Sequence, residues 1–540
     1  MMKVSTDVLV IGSGLAGLSA AYVLSHGNTD ITILSDGSGA SPWIHAFCVP
    51  LNENDSVDTF LNDTLESGGH FNNPVLAKAL CEDSLICFDE LKKMGVEFDR
   101  EGDGYRLIRP LSASYPRCVS STHATGPEIA AKIRSKLSNA HFINKSRALR
   151  LCIFEGHVSG VLAFDRLAGQ FFIIQAKAVI LASGGFCGIY PFSTNKIDSG
   201  GDGIAMAFDA GVDLVDMEFV QFEPSAAVWP PAVKGLGMIT TMLYEGAVFR
   251  NGAGERFLLQ YPENTECIGK DIMTIRIARE IESGNGTLHN GVWFDAAGVG
   301  KDRLNEVYPA YFRRYANVGI DLSKEMIELA PAPHTSLGGV EIDAWCSTSV
   351  PGLFACGEIT GGIHGANRIG GNAGLETLVF GRRAGLAVSD YLRKNPCGSK
   401  CEEDWSEKVI GKTDGKSSAN EIAEMRQYLQ KTLEKSLGVL REGSKLLNAL
   451  DVLDTILEHS EKISTRGNRE AFDRLRLYND ALTGKLLCLS ALERSESTGC
   501  HCRIDSKHGD EKPYNVVISG GKVADLQVER EVIIRKRYIS

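Results

Sequence analysis

The sequence contains no run of about 18 apolar residues, so we expect no transmembrane helix. The apolar stretch at residues 8–11 is too short for a signal peptide and leads directly into glycines, so we expect a cytoplasmic protein. No strongly basic segment is present, and the formal net charge is −11. Such a balance argues against nucleic acid as a partner.

Cysteines with the spacing of metal ligands are also missing. The 14 cysteines form no CxxC pair and no cluster with the spacing of metal ligands. Cys397 and Cys401 come nearest, and Cys500 and Cys502 flank His501 too closely to supply a whole tetrahedral site. We therefore expect reduced thiols packed in the core, with no metal site and no iron–sulfur cluster held by this chain.

What is present is typical of a globular protein of more than one domain. The 540 residues are 43% hydrophobic and 23% charged, which is ordinary for folded chains. A single hydrophobic core rarely serves so long a chain, so the length predicts two or three domains.

The first 36 residues carry the strongest motif. A short apolar strand at residues 6–11 runs into Gly12, Gly14 and Gly17, and a helix and a second strand ending at Ser35 and Asp36 follow. The first glycine permits a tight turn, the second lets a pyrophosphate approach the backbone, and the third lets helix and strand pack closely. The motif predicts a dinucleotide bound at a helix N-terminus, and by itself it allows NAD or FAD. Ser35 or Asp36 could bind the ribose hydroxyls.

Later segments extend this pattern. We predict buried strands at residues 178–182 and 352–356, and a helix opened by the glycines at 200–203. Residues 395–418 read as a polar linker, residues 422–463 and 472–492 show helical periodicity, and residues 514–535 suggest a closing hairpin around Gly520 and Gly521.

Ten segments, in this order, resemble the flavoprotein subunits of succinate dehydrogenase and fumarate reductase, together with L-aspartate oxidase. They are VIGSGLAGLSAA (10–21), ATGPEI (124–129), VILASGG (179–185), SGGDGIAMAFDAG (199–211), EFVQFEP (218–224), GERF (254–257), HTSLGGV (334–340), GLFACGE (352–358), HGANRIGGN (364–372) and ESTGCHCRID (496–505). The resemblance covers nearly the whole chain. It implies an α/β fold with a Rossmann-type FAD-binding domain, an inserted α+β capping domain and a C-terminal helical domain.

The implied boundaries are residues 1–225 and 341–395 for the FAD-binding domain and 226–340 for the capping domain. Residues 415–505 would form the helical domain, and residues 506–540 a tail with a hairpin.

The resemblance also implies FAD as cofactor and assigns residues to it. Glu358 would bind its hydroxyls, and Asn372 and Leu375 would lie near the isoalloxazine. The full set is Gly12, Gly14, Ala16, Gly17, Ser35, Asp36, Ser183, Gly184, Asp202, Glu358, Asn372 and Leu375. Where succinate dehydrogenases attach FAD to a histidine upstream of a QGG segment, this chain has Ser41 and no QGG, with His45 a few residues away. We therefore expect non-covalent FAD.

Members of this family move a hydride between the flavin N5 and a carbon beside a carboxylate, while a proton moves at the neighbouring carbon. By resemblance, His334 and Arg368 hold the carboxylate, and arginine suits this work because its planar fork can make two hydrogen bonds to it. His364 lies in the same segment as Arg368. It either binds there as well or only orders its loop.

Several substrate-side positions depart from the family. Glu223 stands where a QFHP segment carries a histidine, and a carboxylate there would repel a dicarboxylate unless it were protonated or faced a cation. Lys270 stands where the catalytic arginine opens a helix; it could carry the proton, or Arg276 could take that role after a register error. Thr241 replaces a relay glutamate and Thr498 replaces an arginine. The glutamate usual in L-aspartate oxidases is missing near residues 108–111.

These departures predict an FAD-dependent oxidoreductase acting on a small carboxylic or amino acid with altered specificity. Lys270, His334, Arg368 and Glu223 are the candidate catalytic residues. Glu223 favours a substrate with an amino group, or a monocarboxylate. The alternative is an electron-transfer subunit that docks to an iron–sulfur partner.

Overall fold

The computed structural model describes residues 2–37, 39–121, 124–196, 198–396, 403–506, 512–520 and 532–539. The chain before residue 220 forms strands β1 (Met2–Ile11), β2 (Ile31–Ser35), β3 (Phe47–Cys48), β4 (Arg100–Glu101), β5 (Gly104–Tyr105), β6 (Leu107–Ile108), β7 (Cys118–Val119), β8 (Ala140–Asn144), β9 (Ser146–Phe154), β10 (His157–Asp165), β11 (Gln170–Leu181) and β12 (Leu214–Val215). Its helices are α1 (Leu15–Leu24), α2 (Val57–Ser67), α3 (Pro74–Glu82), α4 (Ser84–Lys93), α5 (Thr125–Arg134) and α6 (Asp202–Asp209).

The remaining elements follow in chain order. Residues 220–336 form β13 (Val220–Trp229), β14 (Val248–Arg250), β15 (Val292–Asp295) and β16 (Ile327–Ser336), with α7 (Lys270–Glu280), α8 (Lys301–Val307) and α9 (Pro309–Ala316). The last part forms β17 (Gly339–Val340), β18 (Leu353–Ala355), β19 (Leu440–Arg441), β20 (Cys502–Arg503), β21 (Tyr514–Ser519) and β22 (Ile533–Tyr538), with α10 (Asn372–Lys394), α11 (Glu403–Ile410), α12 (Ala419–Ser436), α13 (Gly443–Lys462) and α14 (Gly467–Glu493).

The central sheet has the strand order β8-β2-β1-β11-β10-β9, and β18 also pairs with β11. Strands β8, β2, β1, β11 and β18 are parallel, whereas β10 pairs antiparallel with β11 and with β9. Strands β2 and β18 and the ends of β1 and β11 are buried and almost wholly apolar, as is typical of parallel strands, whereas β8 and the first residues of β1 are partly exposed. This arrangement confirms the predicted α/β fold with a Rossmann-type domain.

A second, antiparallel sheet of order β13-β16-β15-β14 forms the inserted domain. It begins at Val220, and a hydrophobic core of its own lies beneath it, with Phe249, Phe294, Tyr315 and Leu329 at its centre. The segment between β12 and β17 therefore has its own hydrophobic core, separate from the core around the central sheet.

Helices α12, α13 and α14 pack together in the C-terminal region, as their periodicity predicts. The stretch predicted to be a linker contains helix α11, because Val409 and Ile410 pack against Phe472 and its neighbours. Strands β21 and β22 pair antiparallel, and the pairing ends at Ser519 and Ile533. The hairpin is present, but its connection is longer than the turn predicted at Gly520 and Gly521, and Gly521 lies outside the described residues.

No helix within the described ranges combines the length and the apolar character needed to cross a membrane. The described cysteines form no disulfide, and all of them are buried except the half-buried Cys267. Cys397 and Cys401 lie outside the described residues. The same part of the chain contains no group of three or more His, Cys, Asp or Glu residues that could hold a metal ion.

Candidate active site

Four parallel strands end at the same edge of the central sheet. Ile11 of β1 pairs with Leu34 of β2 and with Leu181 of β11, and Leu181 pairs with Ala355 of β18. The residues that follow these ends open into a cavity of about 740 Å³. Ligands of open α/β sheets bind in such a crevice at the carboxyl ends of the strands.

The glycine turn after β1 is shaped by close backbone approach. Gly12 has φ of 118°, and a Cβ there would collide with the carbonyl oxygen of Ala182. A Cβ on Gly17 would collide with the carbonyl oxygen of Gly12. Gly14 is the N-cap residue of helix α1 and has no side chain with which to cap it. Gly14 and Ala16 both line the cavity. The positive end of the helix dipole therefore faces the cavity, which suits a phosphate.

The residues predicted to contact the ribose lie at the same end of the cavity. Ser35 is 2.6 Å from Ser13 through their hydroxyl oxygens. Asp36 is paired with Arg166 at 2.9 Å and with Arg147 at 3.6 Å. Both Ser35 and Asp36 line the cavity, and their polar atoms are already fixed by neighbours.

Ser183, Gly184 and Asp202 also line the cavity. Asp202 is buried, pairs with Arg147 at 3.1 Å and accepts a hydrogen bond from Asn479 at 2.6 Å. Helix α14 of the C-terminal domain thus helps to hold a residue of the cofactor side.

Glu358 is half-buried and lies deeper in the cavity, where it accepts a hydrogen bond from the Ser336 amide at 3.2 Å. Burial raises the pKa of Glu358 to about 7, although that hydrogen bond opposes the shift. The N-terminal turn of α10 forms the neighbouring wall through Ala373, Gly374 and Thr377. The carboxyl group and the helix end thus enclose this part of the cavity.

The side chains of Asn372 and Leu375 do not form that wall. Both residues are fully buried, and the Asn372 amide donates to Thr64 at 3.3 Å. Because consecutive helical residues point in different directions, only part of the first turn of α10 can face the cavity.

The two predicted carboxylate anchors both line the cavity. His334, on β16, has Nδ1 2.7 Å from the Thr194 hydroxyl. Burial lowers the pKa of His334 to about 3, and the nearby cations Lys270 and Arg368 add to the effect while Glu223 opposes it. Arg368 is buried, donates from Nη1 to the Ile369 carbonyl at 3.2 Å, and leaves its Nε without a partner among the described residues.

The inserted domain contributes an ion pair to the same space. The Lys270 Nζ lies 2.6 Å from Glu223 Oε2, and the Ser225 hydroxyl donates to Glu223 Oε1 at 2.8 Å. His334 Nε2 is 4.0 Å from the same carboxylate. Burial alone would raise the pKa of Glu223, but Lys270, His334 and Ser225 together outweigh burial and lower the pKa. Glu223 is therefore an ionised carboxylate neutralised by Lys270.

Arg276, the alternative candidate for proton transfer, and His364, a possible further substrate ligand, do not line the cavity. Arg276 pairs with Glu263 at 2.8 Å and packs over the Tyr261 ring at 3.8 Å, and it does not line the cavity. His364 is buried and lies 2.9 Å from Glu376 of α10 through Nε2. That contact ties the loop to the helix, so the geometry favours Lys270 over Arg276 and gives His364 an ordering role.

Three further residues on the cavity wall were not predicted as substrate-site residues: His45, Tyr311 and Arg314. The rings of His45 and Tyr311 are 5.6 Å apart, and the Arg314 guanidinium lies 5.2 Å from the Tyr311 ring. Tyr311 and Arg314 lie on α9, in a stretch without any motif. Only the folded insert brings them to the site.

Comparison with known proteins agrees with this geometry. The family described as FAD binding domain matches residues 7–373, and the one described as fumarate reductase flavoprotein C-term matches residues 426–532. The chain is 33% identical to one subunit of the CoM/CoB fumarate reductase of Methanothermobacter marburgensis, over 92% of this chain and 94% of that one. The chain belongs to the fumarate reductase and succinate dehydrogenase flavoprotein family.

Other members of the flavoprotein family are similar over nearly their whole length. An L-aspartate oxidase of Yersinia pestis is 30% identical over 95% of this chain and 98% of its own. A variant of the E. coli quinol fumarate reductase superimposes with a TM-score of 0.90 at 25% identity, over all of this chain and 98% of its own. The protein is thus an FAD-dependent oxidoreductase.

The residues present fit FAD, the cofactor of the flavoprotein family. The cavity extends from Asp36, past the N-terminus of α1, to Glu358 and the first turn of α10. It therefore offers hydroxyl partners, an anion site and an enclosed wall in the order that a dinucleotide requires. Its volume of about 740 Å³ also lies within the range of cofactor sites.

Proposed function

We propose that this enzyme transfers a hydride between the flavin N5 and a carbon beside a carboxylate of a small acid. When bound, FAD would accept or donate the hydride. Arg368 and His334 would hold the carboxylate, and Lys270 would move the proton at the neighbouring carbon.

The observation that carries the proposal is the state of Arg368. Its guanidinium is buried on the cavity wall, its Nε has no partner, and no carboxylate lies within 4 Å of it in the described part of the chain. A buried cation without a counter-ion is costly, and a bound carboxylate would remove that cost. The planar fork can also fix the orientation of the carboxylate.

His334 would assist as a neutral hydrogen-bond donor. Its lowered pKa keeps the imidazole uncharged near neutral pH. When the Thr194 hydroxyl donates to Nδ1, the hydrogen lies on Nε2, which faces the space beside Glu223. The imidazole can then bind an anionic oxygen without adding a charge.

Lys270 supports the proton step by its position and its partner. It opens helix α7, lies on the cavity wall and is 2.6 Å from Glu223. In the reducing direction the ammonium would give a proton to the carbon and become neutral. In the oxidising direction the neutral amine would take that proton, and Glu223 would stabilise the ammonium that forms.

The test is an anaerobic flavin reduction assay with succinate, L-aspartate and related acids, paired with reoxidation of the reduced enzyme by fumarate and other enoates. We expect at least one acid to bleach the oxidised-flavin absorbance band. Lys270→Met should lower the rate by about 100-fold or more, while the matched control Arg276→Lys should keep it. No spectral change with any acid or enoate, or loss of activity in Arg276→Lys alone, would contradict the proposal.

The expectation of non-covalent FAD belongs to this proposal. Ser41, at the position of covalent attachment in related sequences, uses its hydroxyl to accept a hydrogen bond from the Leu15 amide at 2.8 Å. Denaturation in acid should release FAD into the supernatant. Flavin that stays with the precipitated protein would show a covalent bond and point to His45 on the cavity wall.

A second candidate is an electron-transfer subunit that docks to an iron–sulfur partner. It is favoured by the match of residues 426–532 to the C-terminal family and by a relative that is itself one subunit of a fumarate reductase. Co-purification with an iron–sulfur protein, without turnover by the purified chain, would support it. Turnover by the purified chain alone would argue against it.

A further inference from the structure

Arg314 is a cation of the inserted domain on the wall of the cavity. It lies near the end of helix α9 and is half-buried. Its Nη1 donates to the carbonyl of Gly237, another wall residue, at 3.2 Å. No carboxylate lies within 4 Å of its guanidinium anywhere in the described ranges. Arg314 therefore resembles Arg368 in being a cavity arginine without a counter-ion.

The neighbours of Arg314 are uncharged. Burial lowers the pKa of His45, and Arg314 lowers it further while Glu223 opposes both. Burial raises the pKa of the Tyr311 phenol well above its usual value, so the phenol stays protonated. His45 lies near enough to Arg314 and to Glu223 for both charges to act on its pKa, and all three residues line the cavity.

Only some of the charged groups on the substrate side of the cavity are paired. Lys270 and Glu223 neutralise one another at 2.6 Å, and the imidazoles of His334 and His45 are uncharged. Arg368 and Arg314 are left as the lining arginines that form no ion pair with a described residue, although the more distant Glu223, Glu358 and Glu376 also act on Arg368. Because charges leave water at a high cost, two such cations facing one cavity favour a ligand with two negative groups.

This balance also bears on the class of ligand. A carboxylate at position 223 would suit an amino group if it were free, but its charge is already taken by Lys270 and one oxygen by Ser225. A monocarboxylate would leave one arginine unpaired.

We propose that Arg314 binds the second carboxylate of a dicarboxylate substrate whose first carboxylate is held by Arg368. This inference rests on the proposed function, because Arg368 is the anchor beside the flavin. Arg314 is then a specificity residue supplied by helix α9, and it favours dicarboxylic over monocarboxylic acids.

The test measures binding to the oxidised FAD-loaded enzyme from the change in the flavin spectrum. The probes are fumarate and crotonate, which differ in one carboxylate replaced by a methyl group. Oxidised flavin takes no electrons from either enoate, so binding is measured without turnover. The variants are Arg314→Ala, Arg314→Lys and Arg314→Gln, and the control is Arg313→Ala, an exposed residue of the same helix that is not on the cavity wall.

We expect the wild type to bind fumarate more tightly than crotonate. Loss of a charged hydrogen-bonding partner in Arg314→Ala should weaken fumarate binding by about 10- to 100-fold and leave crotonate binding unchanged. Arg314→Lys should bind fumarate with intermediate affinity, and Arg313→Ala as the wild type does. The Gln variant shows whether lost charge alone weakens binding, and its melting temperature reports on folding.

Three results would overturn the inference: fumarate affinity unchanged in all Arg314 variants, equal loss of fumarate and crotonate binding, or no fumarate binding by the wild type. The proposed function fails separately. Arg314-dependent binding of fumarate without any flavin reduction or reoxidation would refute the hydride chemistry and leave the dicarboxylate site standing. Flavin reduction by acids without selective loss in Arg314→Ala would do the reverse.

Discussion

At the scale of single residues, the pairing of Glu223 with Lys270 changes the effect that each charge would have on an anionic substrate. A lone carboxylate would repel an anionic substrate, and a lone lysine would attract one. At 2.6 Å the two charges cancel over most of the cavity. Selectivity then depends on the arginines that remain without partners in the described part of the chain.

This pairing predicts a measurable energetic coupling. Lys270→Met and Glu223→Gln should each destabilise the fold, because each leaves a partner without its counter-charge. The double variant should cost less than the sum, with a coupling of about 1 to 3 kcal/mol in urea unfolding. Strictly additive effects would mean that the two groups do not interact in solution.

Glu358 makes a prediction for pH. Its pKa of about 7 in the folded protein lies above the ordinary value of 4.5, so folding favours the protonated form. The stabilisation is complete below pH 4.5 and is lost as pH rises through 7. It amounts to about 3 kcal/mol at most.

The FAD-free form of Glu358→Gln should therefore be close to the wild type in urea unfolding at pH 5 and more stable than it at pH 8.5. The FAD-free wild type is the reference at each pH. A stability difference between the two proteins that does not change with pH would show that Glu358 titrates normally.

At the scale of secondary structure, the contact of α1 with α10 determines where the cofactor side of the cavity lies. A Cβ on Gly381 would be 2.5 Å from the carbonyl oxygen of Ala16. Gly381→Ala must therefore push α1 away from α10, which should cost about 1 to 3 kcal/mol and weaken FAD binding. Both are measured by thermal unfolding and FAD titration.

The control for this change is Gly104→Ala, where the nearest atom to a new Cβ is 3.8 Å away. That variant should unfold and bind FAD as the wild type does. Equal losses in both variants would show that the tight helix contact is not what positions α1.

The sequence predicted the elements whose cause is local. The strand, glycine turn and helix from β1 to α1 follow from apolar runs and turn residues, whereas the start of α7 at Lys270 was implied by the family resemblance. Helix α11 was not predicted, because its polar sequence is folded by the packing of Val409 and Ile410 on α14. His45 and Arg314 were missed for a related reason, since 269 positions of chain separate them and only the insert brings them together.

At the scale of the whole molecule, Arg494 joins three parts of the chain. It is fully buried and pairs with Glu218 and Asp216 before the inserted domain, and it donates to the Tyr514 carbonyl of the last hairpin at 2.9 Å. It also packs over the rings of Phe71 and Phe219, both at 4.8 Å. The C-terminal domain is thereby attached next to the start of β13.

Arg494→Met should lower the free energy of unfolding by about 3 to 5 kcal/mol, because it leaves the buried Glu218 carboxylate without its cation and Asp216 without a hydrogen-bond donor. Arg393→Ala is the matched control, since its ion pair with Asp390 is exposed and should be worth less than about 1 kcal/mol. Urea unfolding of the intact chain measures both. A cost for Arg494→Met no larger than that of the control would contradict this role of Arg494.

The inserted sheet and its separate core have a consequence for descent. The proposed ligand-binding residues come from two parts of the chain: Arg368 from the FAD-binding domain, and Lys270, Arg314 and His334 from residues 220–336. Mutations within the insert can therefore change which substrate is oxidised or reduced while the FAD-binding residues stay unchanged. A lineage of such enzymes can therefore gain a new substrate specificity while it keeps the same hydride chemistry.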